Sequence, residues 1–215
     1  MSPRRTLSCL ALVVTAAAAL AAAADESVRT TQQQSMAERG YVRHRGGWRT
    51  AQEIDLIERA ERATLAQKEW NGRLERLRRQ VEQPAQADRA AEEIREISDP
   101  AAVSALAALV AKDPVLRVRS WCIEALARIR SPDAVGVLVS AALDHPDPET
   151  RIAAVERLQL IGPHVAVPTL VAALRSADNA QVNRAAEALG RLNATSAVGP
   201  LIDALETQHV TVTGD

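Results

Sequence analysis

A leucine recurs along this chain at an almost constant interval: Leu74, Leu106, Leu138, Leu170 and Leu201 are separated by 32, 32, 32 and 31 residues. A second column holds Ile94, Leu126, Leu158 and Leu189, and a third holds Ile97, Ile129, Ile161 and Leu192. A period of this size marks a solenoid, in which each unit hides its apolar face only against its neighbours. The stretch from Pro84 to Glu206 therefore specifies an architecture, and no catalytic motif lies within it.

Each unit reads as two helices. The first opens at Asp99-Pro100, Ser131-Pro132 and Gly162-Pro163, where Asp or Ser caps free amides and proline suits the first helical turn. Apolar residues then follow at helical spacing, as in Val103, Leu106, Leu109 and Val110. The second helix follows a turn at Asp113-Pro114, at His145-Pro146-Asp147-Pro148 or at Ser176-Ala177-Asp178. In it Val118, Cys122, Ala125, Leu126 and Ile129 form one stripe that must face inward. The expected fold is all-α, a solenoid of antiparallel helix pairs over residues 84–207.

The second helices carry a resemblance. The runs from Val118-Arg119 to Leu126-Ala-Arg-Ile129, from Thr150-Arg151 to Leu158, and from Val182-Asn183 to Leu189-Gly190 are similar to the second helix of HEAT repeats, in the short form shared with the phycobilisome-lyase type. The resemblance covers roughly residues 84–206 and implies a HEAT-like α-solenoid. It implies mainly protein-binding scaffolds, with a minority of enzymes on the same stack. HEAT-type hydroxylases carry His-Glu pairs for iron, and this sequence has no His-Glu dipeptide. HEAT-type DNA glycosylases fit neither the charge nor the export signal described next.

Residues 1–24 have Arg4-Arg5, an apolar run from Leu7 to Leu20 and Ala22-Ala23-Ala24 before Asp25. That is the layout of a cleavable secretory signal, which implies a periplasmic or extracellular protein. Retention as an anchor is the second reading, for an apolar run short for a membrane span. Arg4-Arg5 also allows a twin-arginine route, although the residues around it match that signal poorly. Cleavage would remove two of the 26 basic residues and none of the 27 acidic ones, taking the net charge from −1 to −3. Such a balance does not suit a nucleic-acid binder. Only Cys122 would remain, in a small-residue column with Ala90, Ala154 and Ala186, as a buried and inert thiol.

Residues 25–39 are polar and aperiodic and read as a flexible lead. In residues 40–50, Tyr41-Val42-Arg43 and Trp48-Arg49 flank Gly46-Gly47 and pair as a small hairpin. Thr50 and Glu53 make a capping box that starts a long charged helix over residues 51–83. Its seam of Leu56, Ala60, Ala63, Gln67, Trp70, Leu74, Leu77 and Val81 is weak for a coiled coil and suits packing on the solenoid end, while Asn71-Gly72 is a place to bend. The residues Tyr41 to Thr50 with Lys68-Glu69-Trp70 resemble the front end of exported bacterial HEAT-repeat proteins, a resemblance that carries over no activity.

Chemistry needs polar groups that converge. His44, His145, His164 and His209 lie in separate segments without a second ligand one turn away, so no metal or other cofactor is expected. Two features are candidate binding surfaces. Glu92, Glu124, Glu156 and Glu187 recur at 32, 32 and 31 residues, each two positions before a core Ile or Leu. Glu124 lies about 145° from the centre of the apolar stripe and faces solvent. The column reads either as a solvated face with Glu124–Arg128 and Glu187–Arg191 pairs, or as a groove for a basic peptide or protein. Around Tyr41 and Trp48, Arg39, Arg43, His44, Arg45 and Arg49 read either as solvated side chains of the hairpin or as a contact for an anionic envelope surface. At the other end Ala197, Val198, Leu201, Ile202 and Leu205 form the first helix of a unit, and only the short tail 208–215 follows. An edge of Leu201 and Leu205 would then favour a partner or a second copy. The expectation is a non-catalytic protein-interaction scaffold of the bacterial cell envelope, with a lyase-like HEAT enzyme or enzyme accessory as the alternative.

Overall fold

A computed structural model of the chain describes residues 33–205. Residues 1–24, expected to be an export signal, the start of the lead and the tail 208–215 lie outside the described residues. These form two compact units that divide between Arg62 and Ala63.

In the first unit, residues 33–38 are helical where an aperiodic lead was expected. Gln, Met, Ala and Glu are good helix formers, but they carry no apolar stripe that periodicity would register. Gly40, at φ 80°, ends this turn with its amide on the Ala37 carbonyl, 2.9 Å away. β1 (Tyr41–His44) and β2 (Gly47–Thr50) then pair antiparallel, Tyr41 opposite Thr50 and Arg43 opposite Trp48. The turn is Arg45-Gly46 and not Gly46-Gly47: both central residues have positive φ, 50° and 86°, the geometry of a two-residue hairpin loop. Glycine stands only at the second of them; the Arg45 guanidinium donates to Glu61 Oε2 at 2.8 Å. The capping box forms as expected, with the Thr50 amide donating to Glu53 at 2.7 Å and the Glu53 amide to Thr50 Oγ1 at 3.2 Å.

It starts α1 (Ala51–Val81), which passes Asn71-Gly72 without a break. An internal glycine costs a helix about 1 kcal/mol relative to alanine. Burial of Leu74 and Leu77 just beyond it is worth about 1.5–3 kcal/mol each and outweighs that cost. Of the expected seam only the later part is used: Leu56, Ala60, Ala63 and Gln67 are exposed, whereas Trp70, Leu74, Leu77 and Val81 pack in the core of the second unit.

The second unit continues with α2 (Pro84–Arg95), α3 (Val103–Lys112), α4 (Leu116–Ile129), α5 (Pro132–Asp144), α6 (Pro148–Ile161), α7 (Val167–Ala173), α8 (Asn179–Arg191) and α9 (Val198–Asp203). Single 3-10 turns at Pro100–Ala102, Pro163–Val165 and Thr195–Ala197 lead into α3, α7 and α9. Helices α3 and α4, α5 and α6, and α7 and α8 pack as pairs, and the second helices α2, α4 and α6 pack in succession. The stack starts earlier than residue 84. Leu74 and Leu77 of α1 bury in the same core as Ala90 and Ile94 of α2, so the later part of the helix set apart from the repeats belongs to the stack.

Caps and columns explain these elements. Asp99, Ser131, Asp147 and Asp178 accept from the amides of Ala101, Ala134, Thr150 and Ala180 at 2.8–3.2 Å. Leu74, Leu106, Leu138 and Leu170 are buried, as are Ile94, Leu126, Leu158 and Leu189. The small-residue column is shifted at its end: Ala185, not Ala186, is the fully buried partner of Cys122 and Ala154. This is the same one-residue deletion that shortens the last leucine spacing to 31.

Leu126→Ala and Leu158→Ala, each removing a fully buried side chain between units, should cost about 2–5 kcal/mol. Glu156→Ala, at an exposed position of the same helices, should stay within about 0.5 kcal/mol. Urea unfolding monitored by helicity checks both, and equal losses in the three variants would reverse the inward and outward faces.

Candidate interaction face

Between successive second helices runs a line of polar groups that the apolar columns do not foretell. Arg119, in α4, is buried among leucines with 7% of its surface exposed. Its Nε donates to Thr150 Oγ1 at 2.8 Å, and its two terminal nitrogens donate to the Asp113 carbonyl and to Asp147 Oδ2, both at 2.7 Å. Thr150 also donates its hydroxyl to Asp147 at 2.7 Å. These bonds from the Thr150 hydroxyl first, and from Arg119 next, hold the Asp147 carboxyl down at about 2. One charged group of α4 is thus fastened to the first turn of α6, and a buried guanidinium is fully partnered.

The preceding turn uses the same device with different chemistry. Asp113 and His145 stand 32 residues apart and are both buried. Each accepts from the amide two residues on: Val115 to Asp113 Oδ1 at 2.9 Å and Asp147 to His145 Nδ1 at 3.1 Å. The rest of the Asp113 carboxylate is an acceptor and takes Arg78 of α1. The rest of the His145 ring is a donor, and Nε2 meets the Val110 carbonyl at 3.1 Å. Residues 78 and 110 are themselves 32 apart, so a cation faces the carboxylate and a carbonyl faces the imidazole at equivalent places.

On the outer side of the second helices the glutamate column falls at equivalent positions of α2, α4, α6 and α8. Glu92, Glu156 and Glu187 are exposed and Glu124 is half-buried. Three of the four are paired. Glu92 binds Arg95, and Glu187 binds Arg191 at 3.1 Å, as a same-helix pair should. Glu124 does not use Arg128; it binds Arg157 of the next repeat at 2.6 Å, a pair between neighbouring second helices. The column is therefore interleaved with arginines, and only Glu156 has no ion pair among the described residues. Half-buried Trp121 and exposed Leu160 add apolar surface to the same helices.

A family model described as HEAT repeats matches residues 72–144 and, again, residues 136–213. This chain belongs to the HEAT-repeat family. Its match starts inside α1, where the helix pairing also starts. Comparison with curated proteins returns no match.

At the end of the HEAT stack, α9 divides the two leucines of the expected edge. Leu201 is half-buried against the core, while Leu205 is 82% exposed, with Val198 and Ile202 beside it on the open side. Cys122 is buried, and burial first of all pushes its thiol up to about 12. Among the described residues no group of three His, Cys, Asp or Glu side chains is placed to hold a metal ion, and no helix is long and apolar enough to cross a membrane. On the hairpin, Arg43 and Arg49 fall on opposite faces of the strand pair, since Arg43 faces Trp48 and Arg49 faces Val42. Arg45 is paired with Glu61.

Two measurements test the polar line. The Asp147 carboxyl is depressed, so its contribution to stability is present above its ordinary value of 3.8 and is lost as pH falls toward about 2. Asp147→Asn should remove that part of the acid dependence and lower stability at pH 7, read as thermal midpoints between pH 2 and pH 7. His145→Asp should cost about 1–3 kcal/mol, because a carboxylate oxygen would face the Val110 carbonyl without a donor. Adding Val110→Arg recreates the Arg78–Asp113 pair one repeat on, and a double-mutant cycle should give favourable coupling of about 1 kcal/mol or more.

Proposed function

HEAT repeats serve generally as protein-interaction scaffolds, and we propose that this chain is one: a non-catalytic scaffold of the bacterial cell envelope. The carrying observation is the face of α2, α4, α6 and α8, where a glutamate recurs at equivalent positions of consecutive repeats, three of the four paired with arginine, and Trp121 and Leu160 add apolar surface. Such a face offers a row of similar contacts to an extended partner, and its area grows with each repeat. Because three of the glutamates are neutralised by Arg95, Arg157 and Arg191, the face suits a partner of mixed charge better than a strongly basic one. The envelope assignment rests on the sequence of residues 1–24, with its basic start, apolar run and Ala22-Ala23-Ala24.

Photo-crosslinking in cells tests both parts. A crosslinking residue at Glu156 should trap one or a few defined proteins in the envelope fraction, and the same residue at Arg175, outside the second helices, should trap none of them. Equal trapping at both positions would remove this face as the binding surface, and recovery of the protein in the cytosolic fraction would remove the envelope assignment.

A further inference from the structure

The junction between α6 and α8 departs from the pattern of its predecessor. Arg151 stands at the repeat position of Arg119, but with the one-residue deletion Gln181 stands at the position of Thr150, and its side-chain amide donates to Asp144 at 2.9 Å. Arg151 therefore turns back on its own turn and donates to the carbonyls of His145 and Pro146 at 2.8 and 2.9 Å. Arg184 of α8 donates to the Leu143 carbonyl at 2.9 Å. Two guanidiniums are thus fixed by neutral carbonyls, and among the described residues neither forms an ion pair. Every other arginine in the polar line, Arg78 and Arg119, has a carboxylate.

Between them lies a cleft of about 40 Å³. Buried Ala142, Val155 and Ala188 line its inner part, and Arg151, Arg184, Arg191 and Glu187 line its open part. Three positive charges meet one negative charge there. The C-terminal end of α5, whose Leu143 carbonyl holds Arg184, offsets about half a charge. Asp144 accepts from Gln181 at 2.9 Å and Ser140 at 3.2 Å and keeps its negative charge, but it forms no ion pair with either arginine among the described residues. The space is far below the roughly 300–1,000 Å³ of a metabolite pocket. On the same measure one water molecule needs about 10–15 Å³, so the cleft has room for a single small head group.

We infer that this cleft receives one acidic side chain of the partner protein, its carboxylate bound by Arg151 and Arg184. The inference rests on the scaffold reading and gives it a specific anchor. Guanidiniums already held in place lose little freedom on binding and present a planar set of donors to a carboxylate. Their bonds to carbonyls leave their charge available, which the bonds of Arg119 and Arg157 to carboxylates do not.

The test is a titration of the isotope-labelled protein with a blocked hexapeptide carrying two adjacent glutamates, followed through the arginine Nε–H signals. The signals of Arg151 and Arg184 should shift to saturation, and the glutamine counterpart of the peptide should leave them in place. Arg184→Gln should weaken binding at least tenfold. Glu187→Gln, at an exposed site that leaves the fold intact, should tighten it at least threefold, and it decides the matter if Arg184→Gln unfolds. Equal shifts with the glutamine peptide, equal shifts at Arg117 and Arg128, or no effect of Glu187→Gln would overturn the inference. A partner trapped at Glu156 while these arginines stay silent would sink the cleft alone, whereas peptide binding without any trapped partner would sink the scaffold reading alone.

Discussion

No helix pair in this protein can bury its own apolar face, and everything else in the repeat unit follows from that deficiency. A pair such as α5 and α6 hides Leu138 and Leu158 only because pairs stand on both sides of it. The side chains that meet across these junctions are almost all Leu, Ile, Val and Ala, so helices approach closely and large side chains have no room. The absence of phenylalanine from the whole chain fits the same constraint.

Apolar columns fix that the pairs stack, but they are smooth enough to allow sliding, and the polar line supplies the registration. Arg119 reaches three acceptors on two different turns, and a shift of one residue would leave a buried guanidinium without partners. Where that line stops, between α6 and α8, the junction holds a cleft with spare positive charge. At this junction Gln181 stands in the place of Thr150, and it binds Asp144 instead of receiving an arginine.

The hairpin and the first part of α1 show how local chemistry works without repeats. Thr50 and Glu53 satisfy each other's amides, and the Arg45 side chain at the turn pairs with Glu61. The turn could be placed only to within a residue beforehand, because Gly46 and Gly47 both satisfy the demand for glycine. Which of them takes the turn depends on the strand register, a property of two strands together.

The period, the inward leucines, the caps at Asp99 and Ser131 and the capping box at Thr50 were all determined by the sequence itself, because each depends on residues close in the chain or on a repeat that aligns with itself. The same holds for the burial of Cys122, which sits in a column of alanines. Tertiary structure alone decided that α1 opens the stack, that Glu124 binds Arg157, and that Leu201 turns in while Leu205 turns out. Each of these depends on which neighbouring helix lies closest, and a pattern within one helix carries no information on that. Arg119 and Thr150 were visible as polar residues beside apolar columns, yet their partners lie about thirty residues away, and only the packed helices bring them within bonding distance.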